Sequence, residues 1–227
     1  MSKTTSLICA LITTFIWGTA FIAQDTGMDN IGPLSFNAAR FFVGFITILP
    51  IALIFEQKKI ISGIQSNKNL FFKYLFLMSI SLFLGTYLQQ TSLLYTNIAN
   101  AAFFTVFYVP LVPLILFILY KKKVHWSIWP SIFLCLIGVY FLSNFSNAEI
   151  LLGDGLVIIC SFFWALHIIF AGKFMEKFNI PLIFASLQAI LVGTYSIFFA
   201  FIFEEVNLSK IILEQYDDTI YVEEAIH

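Results

Sequence analysis

Ile98 to Tyr120 reads IANAAFFTVFYVPLVPLILFILY, without a charged residue until Lys121, Lys122 and Lys123 close it. At about 1.5 Å of rise per helical residue the stretch crosses roughly 30 Å of hydrocarbon, and a soluble core helix has no reason to be that long and apolar on every face. It is predicted to span a membrane. Pro110 and Pro113 fall near its centre, where each lacks an amide proton and its ring presses on the preceding turn, so a bend is expected at mid-membrane. The lysine triplet belongs on the cytoplasmic side by the positive-inside rule, which puts Asn97 and Asn100 outside.

The whole chain agrees with this stretch. Of its 227 residues 60% are hydrophobic and 11% charged, and the mean hydropathy is +0.92, which is the range of integral membrane proteins. The basic residues include one arginine and form no stripe interleaved with aromatics, so nothing marks a nucleic-acid partner. Cys9, Cys135 and Cys160 all lie in apolar runs, are odd in number and have no metal-ligand spacing, so they read as buried free thiols. No cofactor, metal site or catalytic set is expected.

Six further runs flank the first: Leu7 to Ala23, Leu34 to Phe55, Leu70 to Leu94, Val124 to Leu142, Leu156 to Phe174 and Pro181 to Phe203. The first of these, after Lys3, also fits a cleavable signal peptide, but its small residues lie inside the run and six spans follow it. The fold class expected is all-α, a polytopic membrane helix bundle with seven predicted spans. Lys58, Lys59, Lys68, Lys121, Lys122, Lys123 and Lys177 fall in alternate loops, while the intervening loops carry Asp25, Asp29, Glu149 and Asp154 and no lysine or arginine. That asymmetry places the N-terminus in the cytoplasm. Lys73 and Lys173 lie within a turn of cytoplasmic helix ends, where snorkelling accounts for them.

A weak internal repeat is visible. FIWGTAFIAQ around Trp17 and FFWALHIIFAG around Trp164 are each followed by a proline that opens the next run, Pro33 and Pro181, and Arg40 then aligns with Gln188. The copies begin on opposite sides of the membrane, as in the inverted repeats of secondary transporters, whose substrate sits near midplane between the halves.

WGTAF (17–21), YTNIANAAFFTVFYVPLVPLI (95–115), WPSIFLCLIGVYFLS (129–143) and GDGLVIICSFFWALHII (153–169) resemble the EamA-type transporters of the drug/metabolite transporter superfamily. The resemblance runs from about Leu7 to Phe203 and implies ten spans in two inverted five-helix repeats. It also implies the movement of small metabolites such as amino acids, often outward, across a bacterial inner (plasma) membrane. On that pattern residues 1–142 form the first repeat, 143–203 a partial second repeat of two helices, and 204–227 an acidic tail. About three family helices are missing, and lysines stand where many members carry an acid after the fourth span. The tail holds seven of the thirteen acidic residues against Lys210 alone and lacks membrane periodicity. It reads as the product of a frameshift or early stop, with a genuine short variant or an acidic extracytoplasmic tail as the other readings.

Seven residues are candidates for substrate binding: Trp17, Arg40, Gln90, Asn100, Tyr108, Trp164 and His167. Arg40 lies about 9 Å inside its span by helical rise, a depth costing from about 3 to about 10 kcal/mol unless water, a carboxylate or an anionic ligand meets the charge. A clamp on a substrate carboxylate and snorkelling towards Asp25 and Asp29 are equal readings. His167 near the membrane centre fits proton coupling or, more simply, a hydrogen-bonded core position. Gln24, Asn37, Gln89, Gln90 and Asn100 share the outer half and outline a polar vestibule, although helix ends are polar in any membrane protein. Trp17, Tyr108 and Trp164 suit cation–π contact or plain packing. A retinal protein would need a lysine in Pro181 to Phe203, and an enzyme would need acids, a nucleophile with its base or metal ligands at depth; the sequence has none of these. A transporter and a non-transporting remnant of one stay open. The expected partners are the lipid bilayer and a small metabolite, with a homo-oligomer as an open alternative.

Overall fold

The computed structural model describes residues 3–29, 31–121, 126, 128–130, 132–134, 137 and 152–204. Its helices are α1 (Lys3–Thr26), α2 (Pro33–Ser66), α3 (Lys68–Ser92), α4 (Ile98–Thr105), α5 (Tyr108–Tyr120), α6 (Leu152–Phe178) and α7 (Pro181–Phe203). Six segments among the described residues are long and apolar enough to cross a membrane, α4 and α5 together forming one of them. The expected span from Val124 to Leu142 lies mostly outside the described residues, as does the tail beyond Glu204.

Helix boundaries follow local chemistry. Pro33 and Pro181 occupy first-turn positions of α2 and α7, where the missing amide costs nothing. The side chains of Asn67 and Asn97 accept from the amides of Leu70 (3.1 Å) and Asn100 (2.8 Å), capping α3 and α4. The stretch with Lys58 and Lys59, expected as a loop, continues α2 to Ser66, and Asn67 alone separates it from α3. The bend in the fourth span is a break. The amides of Val106, Phe107 and Val109 bond three residues back, to Phe103, Phe104 and Val106. Pro110 cannot donate to Val106, so that carbonyl is taken by Val109 at 2.9 Å and the chain tightens one turn ahead of the proline.

α3 is the central post, packed against α2, α6 and α7. α2 and α7 form an antiparallel pair along a seam of small side chains. Ala38 and Ala52 on α2 and Ser186 and Ala200 on α7 are all at most 2% exposed, and the Phe42 ring lies over Gly193. Small residues let helix backbones approach closely, which is how helices associate without a hydrophobic drive between them. Where α3 and α7 begin and α6 ends, Phe71, Phe174, Phe178 and Phe184 make an aromatic cluster, with Phe174 and Phe184 centroids 4.7 Å apart. At the other end Asp154, buried in the first turn of α6, accepts from Thr96 Oγ1 (2.6 Å) and Asn100 Nδ2 (3.4 Å), fastening the α3–α4 turn to α6. Leu7, Leu11, Phe15 and Ile22 on α1 stay exposed, as a lipid-facing helix requires.

Candidate functional site

A cavity of about 450 Å³ lies among α1, α2, α3, α6 and α7. Each helix offers it a face at helical spacing: Trp17, Ala20 and Gln24 from α1; Arg40, Phe41, Gly44 and Ile48 from α2; Leu82, Thr86 and Gln89 from α3; Trp164 from α6; Ala185, Gln188 and Ala189 from α7. Small-molecule sites have this size and this mixture of an apolar wall with a few placed polar groups.

Arg40 and Gln188 each stand seven residues into their helix. Because α2 and α7 run in opposite directions, each lies about 10 Å from a different helix start, which sets them towards opposite ends of the cavity. The Arg40 guanidinium carbon rests 5.2 Å from the centroid of Phe41 and 5.8 Å from that of Phe36. Its Nε has no hydrogen-bond partner among the described residues, and no carboxylate lines the cavity. Gln24 donates from Nε2 to the Ala20 carbonyl at 3.2 Å and leaves Oε1 without a partner. Gln89 is held by its donation to Thr105 Oγ1 at 2.9 Å. Trp17 and Trp164 meet across the cavity wall with centroids 5.6 Å apart, an arrangement typical of tilted aromatic pairs.

The sequence candidates divide on this geometry. Trp17, Arg40 and Trp164 line the cavity. Gln90 does not. It is fully buried and donates to the Gln24 carbonyl at 2.9 Å, tying α3 to the end of α1. Asn100 is spent on its contact with Asp154. Tyr108 stands behind Trp17, with centroids 6.0 Å apart. His167 also lies behind the wall, its Nε2 2.7 Å from Gln188 Nε2 and its ring 5.9 Å from Trp164. Gln188 itself lines the cavity, and its alignment with Arg40 in the internal repeat was the signal for it. Thr86 and Gly44 carried no signal of their own, because a threonine or glycine in an apolar run reads first as packing.

Six segments long and apolar enough to cross a membrane among the described residues, with a cavity between five of the helices, define a polytopic helical membrane protein. The model of the EamA-like transporter family matches residues 4–144. An uncharacterized transporter of Archaeoglobus fulgidus is 31% identical over 185 residues, which are 82% of this chain and 54% of that protein. The chain belongs to the EamA-like transporter family. It spans about half the length of the curated relative it matches, and no solved structure matches it.

Proposed function

We propose that the chain takes part in moving small metabolites, amino acids or related compounds, outward across the plasma membrane by alternating access, with its N-terminus in the cytoplasm and residues 1–142 and 143–203 contributing to two inverted repeats. The observation that carries this reading is Arg40, a guanidinium with an unpartnered Nε on a cavity wall that has no acid. A fixed positive charge in a low-dielectric cavity favours an anionic group, and the planar fork suits a carboxylate. The faces of Trp17 and Trp164 and the free Oε1 of Gln24 suit an ammonium group beside it. Trp17, Arg40, Gln24, Gln188 and Trp164 are the substrate contacts in this reading, with His167 holding Gln188 from behind. An apolar wall accommodates an apolar side chain.

The test uses the two cavity tryptophans as reporters, in protein whose Trp126 and Trp129 are replaced by phenylalanine. A panel of amino acids is expected to change the fluorescence saturably, while the matching amino alcohols, which lack the carboxylate, do not. Arg40→Lys should weaken amino-acid binding about tenfold or more, since a point charge cannot reproduce two parallel hydrogen bonds. Equal binding of acid and alcohol, or unchanged affinity in Arg40→Lys, would overturn the carboxylate reading.

A further inference from the structure

Two acidic side chains lie outside the cavity, at opposite ends of the helix pair that walls it. Glu204, just past α7, accepts from the amides of Leu34 (2.7 Å) and Ser35 (3.0 Å) and from Ser35 Oγ (2.7 Å), so it sits on the N-terminus of α2. Glu56, 6% exposed on α2 ten residues before its last residue, Ser66, accepts from the amide of Ile183 (2.8 Å) in the first turn of α7. Helix N-termini expose unpaired amides and a partial positive charge, which a carboxylate satisfies. Neither helix has a side-chain cap from its own N-cap residue, Gly32 or Ile180. Each is capped by the other's acid.

The register makes this a symmetric device. Pro33 and Pro181, Ala38 and Ser186, Arg40 and Gln188, Ala52 and Ala200, and Glu56 and Glu204 are each 148 positions apart. The clamp, the small seam residues and the cavity residue therefore recur at one offset in both helices. Between the two clamps no side-chain hydrogen bond joins α2 to α7 among the described residues. The pair is pinned at its ends and smooth along its middle.

We propose that Glu56 and Glu204 are matched end clamps, positioning residues that hold α2 and α7 together at the two mouths of the cavity and release separately. Breaking Glu204 from α2 parts the helices at one mouth, and breaking Glu56 from α7 parts them at the other. A charge-assisted contact is strong enough to hold a mouth closed and local enough to open without unpacking the seam. The purpose assigned to the clamps rests on the alternating-access reading above.

The test is made on the full chain in lipid vesicles, with native cysteines replaced and nitroxide labels at positions 39 and 198 for one mouth or 55 and 182 for the other. In Glu204→Ala the long-distance population of the 39/198 pair is expected to rise about tenfold while the 55/182 pair is unchanged, and Glu56→Ala should do the reverse. A methyl group at Gly32 would collide with the Glu204 carboxylate, so Gly32→Ala should reproduce the Glu204→Ala result with both acids intact. Should an alanine variant fail to insert, the glutamine variant, which keeps an acceptor and loses the charge, is expected to give a smaller shift confined to the same end. Both pairs moving together, or neither moving, would overturn the proposal. Because distances and not ligand binding are read, failure of the clamps leaves the Arg40 result standing, and failure of the Arg40 test leaves the clamps.

Discussion

At the scale of single residues the cavity is decided by which polar atoms are already engaged. The side-chain amides of Gln89, Gln90 and Asn100 donate to Thr105, the Gln24 carbonyl and Asp154. Arg40 Nε and Gln24 Oε1 have no partner among the described residues and belong to residues that line the cavity, whereas the unpartnered Gln90 Oε1 lies off it. Gln188 stands between these cases, facing the cavity while paired with His167 at 2.7 Å. In a bilayer such a bond is worth about 0.6 kcal/mol on average and at most about 1.7 kcal/mol, because unfolded spans also find partners. A double-mutant cycle of Gln188→Leu and His167→Phe, read by unfolding in mixed micelles, is expected to give a coupling in that range. A coupling of zero would mean that His167 does not position Gln188.

Individual helices are shaped by competition between side chains and backbone. The prolines of the fourth span set its bend, but the break falls at Val106 and Phe107, because the carbonyl that Pro110 leaves unserved belongs to the preceding turn. The α2–α7 seam depends on side chains no larger than alanine or serine. Ala52→Leu and Ala200→Leu should each cost about 1–3 kcal/mol by overpacking, whereas Ala39→Leu, on an exposed face of α2, should be neutral. Unfolding measurements on the three variants check this, and equal stability of all three would show that the helices do not meet along that line.

For the whole molecule, orientation in the bilayer decides which end of the α2–α7 pair meets the cytoplasm. The lysine-free alternate loops predict that position 149 is outside and position 122 inside. A cysteine introduced at 149 should react with an impermeant reagent in intact cells, and one at 122 only after the membrane is opened. The reverse pattern would turn the bundle over. The clamps would then exchange sides, Glu204 closing the cytoplasmic mouth, while the cavity and its chemistry stay as they are.

Six of the seven expected apolar runs and the prolines that open α2 and α7 were legible in the sequence, since spanning length and missing amides are properties of a segment and need no partner. So were Arg40, Trp17 and Trp164, because charge and aromatic rings at depth stand out against an apolar background. The roles of Glu56 and Glu204 were not. One adjoined the end of a span and the other opened an acidic segment set apart as a tail, and a carboxylate at a helix end reads as solvated until another helix's amides are brought to it. Gln90 and Asn100 read as vestibule for the same reason. Whether a polar side chain faces a cavity or satisfies a neighbour depends on contacts between residues far apart in the chain, and only the packing of the helices supplies those.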